Sequence, residues 1–303
     1  MKVSELSSLI IEKKLSSAGL GIKIGPFSIK LKSSIPDIAE HIENFYAEYP
    51  LSEDCFFDFH ISLKKVGGLR RWVKPQVLFF HDEYSPFKPL PYDQAPAMFE
   101  WGLNWCIASM AHHFFIIHAA VVEKDGKAII LPGMPGAGKS TLCSALCLSG
   151  WRLLSDEMTL LDPKTFEITP VPRPVSLKNQ SIELIRTFFS DAYIGRKAED
   201  TAKGTVAHLR PLSSSIDNAN VKAIPHVVVF PKYKEGCPVH LTMQKKTTAL
   251  IDIQKNAFNT NVLGHTGFVT AHDLIRRLNI YSLSYSQLND VMPVFDDLLL
   301  TAE

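Results

Sequence analysis

The sequence predicts an α/β chain with α+β character, organised in two parts. Three observations predict it. An apolar run at 128–131 passes through a glycine-rich bend into a helical pattern at Lys139–Leu148, the strand–loop–helix succession of α/β proteins. Asp125-Gly126 joins that run to an earlier one at 114–122, and aspartate followed by glycine supplies the positive-φ positions of a tight antiparallel hairpin. The stretch Pro86-Phe87-Lys88-Pro89-Leu90-Pro91 interrupts the periodicity, so residues 1–92 read as a small N-terminal α+β unit and 93–303 as a larger second domain.

In the N-terminal unit, strand-like pieces at 21–31 and 55–64 flank an amphipathic helix at 36–49. Residues 95–112 repeat apolar side chains at helical spacing through Met98, Trp101, Trp105, Ile107 and Met110. That spacing makes Trp101 and Trp105 core residues, with a pocket-lining role as the alternative. Gly150 ends the helix that follows the glycine bend. Strands are expected at 151–154, 158–161, 223–230 and 239–244, and helices at 181–189, 247–258, 271–278 and Leu288–Leu300. Between 191 and 220 periodicity is weak and polar residues are frequent, which predicts a long, partly irregular loop and a candidate functional region. Gly264-His265-Thr266-Gly267 reads as a turn between helices.

The 303 residues are 46% hydrophobic and 21% charged, the profile of a globular protein with a substantial core. A formal charge of +1, from 32 basic and 31 acidic residues, gives no electrostatic reason to expect nucleic acid or an anionic membrane as main partner. The five cysteines, Cys55, Cys106, Cys143, Cys147 and Cys237, form no CxxC pair, and their odd number suits a reducing compartment. Cys143 and Cys147 share one helix face as small buried side chains. No leader-like segment opens the sequence and no stretch reaches 18 uninterrupted apolar residues, so the expected location is the cytoplasm.

Gly133-Met134-Pro135-Gly136-Ala137-Gly138-Lys139-Ser140, followed by Thr141, fits the P-loop pattern GxxxxGK[ST] and lies between an apolar strand and a helix. Its glycines let backbone N–H groups turn toward phosphate oxygens, and the helix N-terminus behind them adds unsatisfied donors. Residues 133–141 are therefore expected to bind a nucleoside triphosphate, ATP. Lys139 would reach the β- and γ-phosphates and the Ser140 hydroxyl would face Mg²⁺. If the strand ending in Ser155-Asp156-Glu157 runs parallel to 128–131, both end at one sheet edge, and the two carboxylates lie beside the loop. One can hold Mg²⁺ while the other takes the proton of a hydroxyl acceptor.

Other polar residues have weaker claims. His118 lies amid apolar residues, as a core histidine or a site residue. Pro172-Arg173-Pro174 fixes an arginine in a stiff extended segment, where it would neutralise a transferred phosphoryl group or remain solvated. Lys203, His208 and Arg210 around Gly204 suggest a basic loop able to close over a triphosphate. Lys232 and Tyr233, after a strand, are candidates for contact with base or ribose.

Taken together, His118-Ala119-Ala120-Val121-Val122, Gly138-Lys139-Ser140 and Gly150-Trp151-Arg152-Leu153-Leu154-Ser155-Asp156-Glu157 resemble the catalytic core of HPr kinase/phosphorylase. The resemblance is closer to the HPr-kinase-related proteins of type A. It rests on Glu100-Trp101-Gly102-Leu103-Asn104-Trp105-Cys106, Ser176-Leu177-Lys178-Asn179, Lys203-Gly204-Thr205-Val206-Ala207-His208 and Phe230-Pro231-Lys232-Tyr233, and runs from about residue 55 to the C-terminus. It implies a P-loop core with a mixed, bent sheet, shared with HPr kinase and phosphoenolpyruvate carboxykinase. It also implies His118 close to the phosphates, Asp156 in the proton-shuttling position, Glu157 in place of a metal-associated aspartate, and a possible homo-oligomer. The segment with which those enzymes grip HPr has no counterpart here.

The expected function is an ATP-dependent phosphotransferase acting on a hydroxyl, a serine of a peptide or protein or a small metabolite. The expected catalytic residues are Lys139, Asp156, His118 and Arg173, with Mg²⁺ held by Ser140, Asp156 and Glu157. The alternatives are a nucleotide-gated regulator that hydrolyses ATP slowly and a phosphorylase running the reverse reaction.

Overall fold

The computed structural model describes residues 1–53, 56–68 and 73–300. Cys55, where the second N-terminal strand was expected to begin, lies outside them; the strand itself is Phe59–Lys65.

The N-terminal sheet has five strands in the order Leu20–Ile24, Phe27–Ser33, Phe59–Lys65, Gln76–His81 and Leu90–Pro91. The second and third are parallel, because helix Pro36–Phe45 carries the chain back between them, and the remaining pairs are antiparallel. That helix stops at Phe45, short of residue 49; Tyr46 and Tyr49 follow it as fully buried side chains. Strand Gln76–His81 is not evident from sequence, because Val77-Leu78-Phe79-Phe80 lacks the polar alternation that marks a half-buried strand.

Helix Ala95–Met110 lies on the inner face of this sheet. Its Met98, Phe99, Leu103 and Ile107 share one core with Ile22, Ile29, Phe79 and the helix residues Ile38 and Ile42. Contact is close enough that a Cβ on Gly102 would fall 2.0 Å from Cε2 of Phe79.

The larger sheet is mixed and open, with six strands in the order His240–Met243, Asn279–Tyr285, Ile224–Tyr233, Lys127–Pro132, Ala119–Lys124 and Arg152–Ser155. Ile224–Tyr233 is parallel to both of its neighbours, which explains the continuous apolar runs Val227–Val229 and Ile129–Leu131: both faces are covered. On one face pack helices Lys139–Leu148 and Leu288–Leu300, through Leu142, Leu146, Val291 and Phe295. On the other pack Lys246–Asn256 and His265–Arg277, through Ala249, Ile253, Ala271 and Leu274. Strand Asn279–Tyr285 went unread because it alternates only partly and continues straight from a helix. Among the described residues no helix is long and apolar enough to cross a membrane.

Three sequence expectations are corrected. The run at 114–122 is two strands, Phe115–Ile117 and Ala119–Lys124, in different sheets; the first pairs with Thr159–Leu161. His118 stands at the break between them rather than inside the strand that pairs with Lys127–Pro132. Residues 191–220 are not an irregular loop: Ala198–Thr201 and Gly204–Leu209 form a hairpin that completes a sheet with Val175–Lys178, and Ser213–Asp217 is a short helix. The partner strand is some thirty residues away in sequence, so local periodicity carries little of that signal. His265 begins a helix, and only Gly264 forms the break before it.

Replacing Gly102 with alanine tests the packing of helix Ala95–Met110 on the N-terminal sheet. Intrinsic helix propensity alone would stabilise the variant by about 1 kcal/mol. Displacing the Phe79 ring costs about 1–3 kcal/mol, so Gly102→Ala is expected to lower the urea midpoint. A midpoint equal to or above that of the unaltered protein would show that the helix does not lie against Phe79.

Candidate functional site

The site forms where strand Lys127–Pro132 gives way to the glycine-rich loop. Gly138, the last loop residue before the helix, has φ of +89°, a region that favours glycine. It also packs so closely on strand ends that an added Cβ would lie 2.5 Å from the Tyr285 hydroxyl and 3.3 Å from Cβ of Tyr233. Tyr285 donates to the Gly138 carbonyl at 3.2 Å, and the Tyr233 N–H donates to the Ala137 carbonyl at 3.1 Å. Thus the carboxyl ends of Ile224–Tyr233 and Asn279–Tyr285 hold the loop from behind, the edge at which open parallel sheets bind ligands. Lys139 folds over the loop and donates to the carbonyls of Gly133 and Met134. Its ammonium is largely buried, and burial lowers its pKa against the opposing pull of Asp156 and Glu157.

Strand Arg152–Ser155 pairs antiparallel with Ala119–Lys124, which is itself antiparallel to Lys127–Pro132. The strand before the acids is therefore parallel to the strand before the loop, with one strand inserted between them, and Asp156 and Glu157 emerge on the loop's side. Asp156 is buried; its Oδ2 accepts from the Ser176 N–H at 3.1 Å, and among the described residues its Oδ1 has no hydrogen-bond partner. Burial, then the neighbouring charge of Glu157, pushes its carboxyl up to about 7, against the Ser140 hydroxyl and the Ser176 amide. Glu157 goes the other way. Burial opposes its ionisation, but the His118 hydrogen bond and the charges of Lys178 and Lys203 lower it to about 2. His118 Nε2 lies 3.3 Å from Glu157 Oε2, and Lys178 Nζ lies 3.8 Å from Oε1.

Lys178, which sequence reasoning did not select as a site residue, and Lys203 come together through one turn. Gly204, at φ +81°, sits on Asn179, where a Cβ would fall 2.4 Å from Oδ1. Asn179 accepts from the Thr205 N–H at 3.1 Å and returns its own N–H to the Thr205 carbonyl at 2.9 Å. Lys203 then lies over the Trp101 ring, 5.3 Å from its centroid. A basic strand-end residue two positions after Ser176 was the available signal for Lys178, hidden because its strand was not recognised.

Arg173 is placed differently from the solvated or phosphate-facing alternatives. Its guanidinium is buried against Glu100, with Nη2 donating to Oε2 at 2.5 Å and Nη1 donating to Asn104 Oδ1 at 2.5 Å. Glu100 also takes hydrogen bonds from His41 Nε2 and the Tyr46 hydroxyl, each at 2.8 Å. Arg173 and then His41 hold its carboxyl well below the usual range despite full burial. Burial takes His208 down to about 4, so it is neutral at pH 7. A cavity of about 20 Å³ lies between these groups and Asp156, lined also by Trp101 and Ser176. Among the described residues, Asp156 Oδ1, Arg173 Nε, Ser176 Oγ, His208 Nε2 and Trp101 Nε1 have no hydrogen-bond partner. A polar cavity of that size accommodates one ordered water. Trp105, by contrast, packs against Tyr84 and Phe87. Arg210 stacks on Tyr193 and Tyr233 flanks the loop, whereas His265 lies on the helix at 265–277.

Among the described residues, no group of three or more His, Cys, Asp and Glu side chains is arranged to hold a metal. The arrangement nonetheless brings a glycine-rich bend, three lysines and two carboxylates with widely separated pKa values to one edge, a setting for acid–base chemistry on an anion.

Comparison with known proteins gives partial similarities. A family model described as SynChlorMet cassette protein ScmC matches residues 103–183, the stretch holding the loop, both acids, Arg173 and Lys178. No curated protein matches the chain. Among solved structures, the Hpr(Ser) kinase/phosphatase from Coxiella burnetii is similar over 61% of this chain and 93% of that one, at 13% identity and a TM-score of 0.29.

Proposed function

We propose that this chain transfers the γ-phosphoryl group of ATP to a hydroxyl of a peptide, protein or small metabolite. One observation carries the reading: the glycine bend with Lys139, the lysines 178 and 203, and two adjacent carboxylates with widely separated pKa values meet at a single sheet edge. In this reading the amides at 133–141 and Lys139 hold the polyphosphate. Lys178 and Lys203 face its outer oxygens, where charge develops during transfer. Ser140 and Asp156, with Glu157 beside them, suit Mg²⁺, which takes one or two carboxylates and completes its shell with phosphate and water; the partnerless Asp156 Oδ1 fits that role. When bound, the ion would neutralise phosphate charge. Asp156 accepts the acceptor's proton as the buried carboxylate at the loop's edge; its value of about 7 belongs to the metal-free protein. His118 fixes the orientation of Glu157. Arg173 acts as a positioning residue, its charge spent on Glu100 while its Nε borders the Asp156 cavity.

Two variants separate binding from transfer. Lys139→Ala is expected to weaken ATP binding, read by calorimetry, by about tenfold to a hundredfold, the loss of one charge-assisted contact. Asp156→Asn is expected to bind ATP within a few-fold of the unaltered protein. Its labelled-phosphate transfer to a panel of hydroxyl peptides and metabolites should fall by about 10²–10⁴. Normal transfer by Asp156→Asn would reject the base assignment, and ADP release with no labelled acceptor from any panel member would reject transfer itself.

The raised Asp156 carboxyl also affects stability. Its folded pKa of about 7 exceeds the ordinary 3.8, so the stability it confers is complete below about pH 4 and lost as pH rises through about 7. In metal-free buffer, Asp156→Asn is expected to melt with the unaltered protein at pH 4 and above it at pH 8. Coincident melting at pH 8 would mean that the carboxyl is not raised.

A further inference from the structure

The solvent face of the N-terminal sheet carries a second feature, separate from the site above. Strands Phe27–Ser33 and Phe59–Lys65 point Ile29, Leu31, Phe59, Ile61 and Leu63 inward, which by alternation turns Lys30, Lys32, His60, Ser62 and Lys64 outward. These residues, with Ser34 and the end of helix Ser8–Ser16, line a groove of about 500 Å³. Among the described residues its one carboxylate, Asp82, faces His81 at 3.6 Å. Among the described residues none of the three lysines forms an ion pair. Two are held in place by rings: Lys30 over Phe57 at 5.3 Å and Lys64 over Phe80 at 4.8 Å. This concentration of cations stands out in a chain whose charges otherwise almost cancel.

The register makes the pattern specific. Lys30 lies opposite His60 and Lys32 opposite Ser62 on parallel strands. Lys64 is two residues beyond Ser62. Along the strand direction the three ammonium-bearing positions therefore advance in equal steps of two residues, roughly 6.7 Å each. An extended polypeptide presents alternate side chains at the same interval, so carboxylates at every second position can meet Lys30, Lys32 and Lys64 in turn. Ser62 stands level with Lys32, and Ser34 lies one residue beyond the Ser33–Leu63 pair, level with Lys64. Single-stranded nucleic acid also repeats its charges, but it binds through stacking on open ring faces, and here the faces of Phe57 and Phe80 are occupied by lysines. A membrane surface does not enter a concave groove. We propose that this face binds an extended acidic segment of a polypeptide, with Asp or Glu at alternate positions.

The test uses the full chain and a fluorescein-labelled peptide of alternating Glu and Ser, with anisotropy as readout. A second peptide holds the same residues in two blocks. The alternating peptide is expected to bind about fivefold more tightly than the blocked one. The triple change Lys30→Glu, Lys32→Glu and Lys64→Glu should weaken it by about tenfold or more, as expected for close charge pairs. If the triple variant fails to give the circular dichroism spectrum of the unaltered protein, Lys32→Gln with Lys64→Gln at the two exposed positions serves instead, with a loss of about threefold expected. Equal binding of the two peptides, or unchanged binding by a folded variant, would overturn the proposal. Tighter binding of oligothymidylate or of phosphatidylserine vesicles to the same lysines would overturn it in favour of a nucleic-acid or membrane surface.

Discussion

Strand Ala119–Lys124 is hydrogen-bonded on both sides, to the strand that feeds the glycine loop and to the strand that ends in Asp156. That double pairing is the constraint on which the site depends. Two segments that are never neighbours in the sheet are forced parallel, and their ends are brought to one edge about two strand spacings apart, on the order of 10 Å. A one-residue slip on either side would carry the side chains of the slipped strand onto the opposite face, which is already packed by other helices, so the apolar core enforces the geometry of the polar edge.

A second interaction ties that edge to the rest of the molecule. Glu100 is fully buried and ionised, with Arg173, His41 and Tyr46 around it. Such a cluster is no bargain in stability, since well-packed apolar residues of the same volume do as well. Removing one partner, though, leaves a bare charge at a cost of about 3–5 kcal/mol. What the cluster supplies is position. It fixes the Pro172–Pro174 segment against helix Ala95–Met110 and, through the cavity beside Arg173, sets the boundary of Asp156's environment.

Much of this was legible in sequence, and the failures have a common cause. The glycine loop, its flanking strand and helix, the Asp125-Gly126 hairpin and the acidic pair are signalled locally, by turn chemistry and apolar runs, and appear where expected. Elements whose stabilising partners are distant were missed or misread. The hairpin at 198–209 needs Val175–Lys178; Gln76–His81 needs Phe59–Lys65; Lys178 comes within 3.8 Å of Glu157 from a strand that follows it by some twenty residues. His118 was read inside a strand because an unbroken apolar run conceals a change of sheet. For Arg173 the sequence offers a phosphate-facing or a solvated place and not the buried one, because no local pattern reveals that Glu100, seventy-three residues earlier, takes its charge.

The Glu100 cluster has a consequence for how the chain can be divided. Two of its members, His41 and Tyr46, come from the N-terminal unit, whereas Arg173 comes from the segment beside the acids. The proline-rich stretch invites separation at residue 92, yet a polypeptide starting there would keep the carboxylate and the guanidinium while discarding the donors that complete their shell. The half that carries the glycine loop is therefore not a portable cassette: it takes part of its electrostatic lining from the half in front of it, and an engineered fragment lacking that half would have to solve the same buried-charge problem with different side chains.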